Sequence, residues 1–161
     1  GRCPKCILSG VDLSGINLKS ANLSQADLSG ANLFKANLKN ANLADSNLSN
    51  GNVAGVNLSG ANLNGADLRG VNLSGSDLKY AKLKRADLRG ANLNGADLRK
   101  ANFFGADLRN AKLEWTKLRG ANLSEANLTE AVIKFEINEN LDIAILCKTK
   151  TSSGEKSSDC K

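Results

Sequence analysis

From Leu8 to Ile133 a leucine, or an apolar stand-in, recurs at every fifth position through 26 repeats without one insertion. That interval excludes an amphipathic helix, because at about 100° per residue successive leucines step about 140° round the axis and no apolar stripe forms. It also excludes a flat strand, since five is odd and side chains alternate in twos. The chain must therefore bend between one leucine and the next. An inward leucine, a turn and another inward leucine make a coil wound round its own core. Repetition at a fixed period is the signature of a solenoid, in which no repeat buries its apolar side alone.

The rest of the repeat fits a narrow interior. The central residue is Leu in 23 repeats, with Val53, Phe103 and Ile133 as exceptions, and two residues earlier stands Ala in 17. The inward pair is thus one small residue and one leucine, small because a bulkier side chain would overpack a core on which walls converge. Asn or Asp lies between them in 21 repeats. Two residues after the leucine, Gly is frequent, as at Gly55, Gly60 and Gly65. Gly and Asn tolerate the left-handed backbone of tight turns.

The motif A-(N/D)-L-x-x resembles the pentapeptide-repeat family over residues 8–133. The resemblance implies an all-β fold, a right-handed quadrilateral β-helix with four repeats per coil. Basic residues give partial independent support: Arg69, Lys79, Arg89, Arg99, Arg109 and Arg119 follow the leucine at intervals of ten. Ten is half of twenty, so a four-sided coil sets them in columns on two opposite faces. About 6.5 coils at roughly 4.8 Å each would make a rod roughly 31 Å long. The expected organisation is an N-terminal cap at 1–7, the solenoid at 8–133 and a C-terminal cap with a closed tail at 134–161.

The formal charge of +6 is unevenly spread. Residues 8–68 hold three Lys and four Asp, whereas 69–119 hold twelve Lys or Arg against five Asp or Glu. A basic half can bind a polyanion. However, Asp67 with Arg69, Asp77 with Lys79, Asp87 with Arg89, Asp97 with Arg99 and Asp107 with Arg109 place acid and base side by side, so the wall is expected to neutralise itself. The uncompensated remainder, Lys82, Lys84, Arg85 and Lys100 beside Tyr80, is the candidate contact surface. The aromatics Phe34, Tyr80, Phe104 and Trp115 fall at outward or turn positions on different walls, and single exposed aromatics need no binding role.

Four cysteines, Cys3, Cys6, Cys147 and Cys160, stand at or beyond the ends of the repeat tract. A four-Cys zinc site would want CxxC twice, and the second pair is not so spaced. CPKC has the form of a dithiol redox motif, but that motif wants a strand leading into a helix, and here the chain runs into the solenoid. Structural disulfides, Cys3 with Cys6 and Cys147 with Cys160, are the expected use, one at each end. The second would close a loop worth about 3 kcal/mol in the chain-entropy model. Solenoid ends expose unpaired backbone and need caps. After Ile133 the five-residue phase is lost, and Leu141, Ile143, Ile145 and Leu146 are expected to cover the last coil as a short helix or strand.

A CxxC running into the first repeat, with a cysteine pair at the far end, is similar to exported pentapeptide-repeat proteins of cyanobacteria and of the plant thylakoid lumen. Together with a start at GRCPKC, that resemblance implies a removed signal or transit peptide and a home in the periplasm, thylakoid lumen or extracellular space. It implies no established activity. Other relatives mimic DNA and bind gyrase or topoisomerase, but that mechanism needs an acidic rod, and this one is basic. Catalysis has little to stand on: there is no His, and no Ser or Cys nucleophile has an evident activating partner. No apolar run is long enough to cross a bilayer. The expected protein is therefore a non-enzymatic, monomeric interaction or structural module without a cofactor, whose partner is another protein rather than nucleic acid.

Overall fold

The computed structural model describes residues 1–134, 148–152 and 154–156. The residue between the small position and the leucine pairs in parallel with the residue twenty further on, from Arg2 with Asn22 to Lys112 with Val132. Twenty residues thus make one coil, and four repeats give it four walls. The first wall carries Asn62, Lys82 and Asn102, the second Asp67, Asp87 and Asp107, the third Asn72, Asn92 and Lys112, and the fourth Asp77, Asp97 and Lys117. Each wall contributes one bridging residue per coil, flanked by corners, rather than a long strand.

The repeat Ala21–Gln25 shows why five residues suffice. Four of its N–H groups find backbone acceptors: Ala21 donates to Leu18 O (3.0 Å), Asn22 to Gly1 O (3.1 Å), Leu23 to Asn42 O (2.7 Å) and Gln25 to Ala44 O (2.8 Å). The fifth, Ser24 N–H, has no carbonyl in reach and donates instead to Asn22 Oδ1 at 3.2 Å. The middle Asn or Asp is therefore the acceptor that completes the repeat, an Asx turn used wherever Asn or Asp holds that position. All 21 of these residues accept that bond, at 3.0–3.5 Å.

The corner itself is closed by a bond from the small residue's N–H to the leucine carbonyl three residues back, as from Ala26 to Leu23 at 3.1 Å. Its last residue has φ between 54° and 72° in every repeat from Lys5 to Glu130. Positive φ at the third of four residues is the mark of a type II turn. The spacing predicts Gly or Asn there, yet Tyr80, Arg85, Lys100 and Trp115 adopt it as well. For an L-residue this backbone costs about 1–2 kcal/mol, which the complete bonding of each corner offsets.

Small and leucine positions fill the interior from Ala21 to Leu128, nearly all of them inaccessible to solvent. Hydroxyls that enter this core are satisfied: Ser46 donates to Leu43 O at 2.7 Å, Ser76 to Val53 O at 2.9 Å and Thr116 to Leu113 O at 2.9 Å. The first coil is different, because among the described residues no coil lies beneath it. Leu8, Leu13 and Leu18 are only partly buried, and at the small position Val11 and Ile16 are exposed.

At that end the bridging register reaches back to Arg2, so residues 1–7 already follow the coil. Cys3 and Cys6 are joined across a Cα separation of 5.5 Å. Cys6 packs against the core, while Cys3 is exposed. At the other end the described part of the tail is a hairpin of β1 (Thr149–Thr151) and β2 (Gly154–Lys156). β1 continues the second wall three residues out of phase: Lys150, rather than residue 147, pairs with Asn127. Leu128 N–H donates to Lys150 O (2.7 Å) and Lys150 N–H to Ala126 O (2.9 Å). The buried Thr149 hydroxyl donates to Leu123 O at 2.7 Å, taking the place that Ser76 takes over Val53. The expected apolar cover at 141–146, with Cys147 and Cys160, lies outside the described residues. Among the described residues no helix is long and apolar enough to cross a membrane.

Candidate interaction surface

The charged columns take the places that ten-residue spacing assigns them. On the second wall Arg69, Arg89 and Arg109 each grip the Asp of their own repeat through Nε and a terminal nitrogen, at 2.5–2.9 Å for the shortest contacts. Each also leans toward the next coil where a carboxylate follows: Arg69 Nε lies 3.8 Å from Asp87 Oδ2 and Arg89 Nε 3.9 Å from Asp107 Oδ2. The fourth wall repeats the motif with Lys79 on Asp77 and Arg99 on Asp97. Hydrogen bonds from the arginines, set against partial burial, hold Asp67, Asp97 and Asp107 below the usual carboxylate range. These pairs cancel much of the field of the columns.

The five candidate contact residues divide between two corners. Tyr80 and Lys100 stack at the corner between the fourth and first walls, where Lys100 Nζ lies 5.4 Å from the Tyr80 ring centre. Lys79, Arg99, Arg119 and Gly120 complete a groove of about 400 Å³ there. The Asp column of this wall stops at Lys117, so Arg119 has no carboxylate in its own repeat. Lys84 and Arg85 occupy the next corner, in a separate groove of about 550 Å³ lined also by Asp45, Asn62, Asn64, Gly65 and Phe104. Lys82 stands mid-wall between the two, bridged to Asn62 and Asn102. Among the described residues Lys82, Lys84 and Arg85 have no salt-bridge partner.

Lys82 breaks the repeat, and the structure shows how the break is tolerated. With no Asx side chain at 82, Lys84 N–H would be an orphan donor; Asn64, one coil below, accepts it through Oδ1 at 3.0 Å. Lys112 poses the same problem on the third wall, and Asn94 Oδ1 accepts Glu114 N–H at 3.0 Å. The signal was present in the chain: ANLNGADLR occurs identically at 61–69 and 91–99, and each copy stands twenty residues before an AKL segment. Asn64 and Asn94 escape notice in a residue-by-residue reading because they sit at a variable position.

The corner seat of Lys84 and Arg85 also depends on a missing side chain. Gly65 has φ 68°, and a Cβ there would stand 2.3 Å from Asp45 Oδ1. The Asp45 side chain leans over Gly65, and the stem of Arg85 leans in the same way over Gly105, 3.6 Å from the Cβ position. The Asp45 carboxylate thus takes the space that a side chain at residue 65 would need. Its backbone is two coils below Arg85, but its side chain reaches the layer between and lines the same groove.

A match to the family model described as pentapeptide repeats covers residues 5–34, 36–75, 72–110 and 106–135 in eight copies. The chain belongs to the pentapeptide-repeat family. Pentapeptide-repeat proteins fold as right-handed quadrilateral β-helices, and they are generally structural or interaction proteins rather than enzymes. Among solved structures, this pentapeptide-repeat chain is similar to HetL, involved in heterocyst differentiation regulation in the cyanobacterium Nostoc sp. strain PCC 7120, with 29 % identity over 96 % of this chain and 82 % of that one (TM-score 0.40). A second pentapeptide-repeat protein of Nostoc PCC 7120 shares 39 % identity over 65 % of this chain and 78 % of its own (TM-score 0.42). A third, from the Arabidopsis thaliana thylakoid lumen, shares 28 % identity over 81 % of this chain and 72 % of its own (TM-score 0.29). A comparison with curated protein sequences finds no match.

Proposed function

We propose that this chain is a non-enzymatic, rigid interaction module of an oxidising compartment, wound right-handed as in its family. The observation that supports this most is the closed bonding of the repeat: one coil predicts the next from Arg2 to Val132, and the side chains on the walls are free to vary while the backbone stays fixed. Such a rod presents residues in columns about 4.8 Å apart, a spacing set by the coil and not by the ligand. The surface we assign to a partner is Tyr80, Lys82, Lys84, Arg85 and Lys100. The partner is another protein, and the basic second half argues against a DNA-mimicking grip on gyrase or topoisomerase.

The compartment rests on the cysteines. Cys3 and Cys6 are joined at the first coil, and the second pair expected from the sequence, Cys147 with Cys160, belongs to the same proposal, since persistent disulfides are found in the periplasm, thylakoid lumen or outside the cell. Intact mass after thiol alkylation, with and without prior reduction, tests this on protein from its native source. All four cysteines should resist alkylation until reduced. Four thiols free before reduction would remove the oxidising compartment and return redox chemistry at Cys3 and Cys6 to consideration.

A further inference from the structure

The two ANLNGADLR copies build the same local frame on opposite walls, and in the coils above them Lys84 stands for Glu114, Arg85 for Trp115 and Phe104 for Lys134. On the third wall, Asn94 not only rescues Glu114 N–H; its Nδ2 also donates to Glu114 Oε2 at 3.1 Å, and Lys134 Nζ, one coil above, holds Glu114 Oε1 at 2.8 Å. Hydrogen bonds from Lys134 and Asn94 and the nearby charge of Lys112 keep this carboxylate below its ordinary range. A carboxylate is therefore the group that an Asn amide and a flanking Lys in this frame receive.

On the first wall the corresponding column reads Asn64, Lys84, Phe104. Asn64 keeps its rescue bond to Lys84 N–H, but the acid is gone and a lysine stands in its place. Arg85 stands where the twin has Trp115, and Lys82 where the twin has Lys112. The result is an amide and two cations, Lys84 and Arg85, around a groove of about 550 Å³ whose rim includes Phe104, with Lys82 mid-wall beside it. The acids of the corner column are Asp45 and Glu125, whose backbones lie two coils below and above Arg85; the Asp45 side chain, leaning over Gly65, lines the lower end of the groove. Asp45 lies over Gly65 and has no salt bridge to Arg85.

We propose that the corner groove formed by Asn64, Lys84, Arg85 and Phe104 receives an Asp or Glu side chain from an acidic segment of a partner protein, against Lys84, which stands where Glu114 stands on the opposite wall. This rests on the reading of the chain as an interaction module and names the part of its surface that does the work. Point-charge lysines and a single arginine around an amide suit a carboxylate, and Phe104 offers an apolar contact to its methylene stem. The groove is one wall wide and limited to the coils around Lys84, which fits a short peptide strand rather than the length of a duplex.

Hexaglutamate is the probe, titrated into the full isotope-labelled chain while backbone amide shifts are followed. Shifts should concentrate at Asn64, Lys84, Arg85 and Phe104. Lys84→Glu supplies the groove with its own carboxylate, so it should weaken hexaglutamate at least about tenfold, equivalent to about 1.4 kcal/mol, while its melting temperature stays at or above that of the parent. Lys39→Glu makes the same charge change on the fourth wall, outside both grooves, and should bind as the parent does. Equal loss in both variants would reduce the effect to net charge and overturn the proposal. So would an unchanged spectrum, or shifts produced by inorganic phosphate or hexathymidylate and not by hexaglutamate. None of those outcomes touches the oxidising compartment, which the alkylation experiment decides separately.

Discussion

The amide that follows each core leucine has no carbonyl to reach, and the Asn or Asp two residues before it supplies the acceptor. A lysine in that place removes the acceptor, and Asn64 and Asn94 restore it from one coil away. This compensation is measurable as a coupling. Asn64→Ala should lower stability to urea by about 0.5–1 kcal/mol, the worth of one partly exposed hydrogen bond. In a Lys82→Asn background the local Asx turn returns, and Asn64→Ala should then cost close to nothing, a non-additivity that a double-mutant cycle reads directly. The middle column of Asn and Asp is plain in the sequence. Its task is not, because only the coil geometry shows which one of the five N–H groups in a repeat is left without a carbonyl. The corner residues misled in the other direction: Tyr80, Arg85 and Trp115 look foreign to a left-handed turn, yet bonding on both sides holds them there.

Each wall behaves as a column with its own chemistry. Where the middle residue is Asn, the amide can also reach down to the coil below, as Asn62 does to Asn42 Oδ1 at 3.0 Å and Asn52 to Asn32 Oδ1 at 3.0 Å. Asp cannot donate, so the stack of Asp67, Asp87 and Asp107 would set like charges in adjacent layers. Arg69, Arg89 and Arg109 relieve it. Because Asp67 and Asp107 titrate below their ordinary value, the stability they contribute is present above the unfolded carboxylate pKa, about 3.9, and is lost as pH falls through their lower folded values. Thermal melts should therefore drop steeply on acidification below about pH 4. Replacing all three arginines with Ala should flatten that drop, while the neutral-pH melt falls. The Asp-Leu-basic spacing made these pairs legible from sequence alone. The candidate contact residues were legible only as a run from Tyr80 to Lys100. Position modulo twenty, not closeness in the chain, decides which of them meet, and it sends Tyr80 with Lys100 to one corner and Lys84 with Arg85 to another.

At the scale of the whole molecule every coil touches only its neighbours, so the rod is a stack of nearly interchangeable layers. The period of five made its core legible, and Ala21 to Leu128 are buried as that period requires. Its ends were not legible, because an end is where the period has no neighbour to satisfy. Val11 and Ile16 are left exposed at one end, and at the other β1 joins the second wall only after a slip of three residues. Layered construction predicts two different responses to added length. Twenty extra residues of consensus repeat inserted after Gly75 should add a coil and leave the circular-dichroism melt intact or raised, with hexaglutamate still reaching the groove only if Asn64 is re-supplied beneath Lys84. Five extra residues at the same point should also fold, but with the Lys84 N–H bond to Asn64 gone and the rescue lost. The twenty-residue stagger thus works like the thread of a combination lock. A full turn moves everything downstream outward without changing its bearing, and a quarter turn keeps the barrel whole while bringing a different set of numbers into line. Chains of this kind can therefore revise which surfaces meet by adding or dropping single repeats, while leucine still stacks on leucine across the seam.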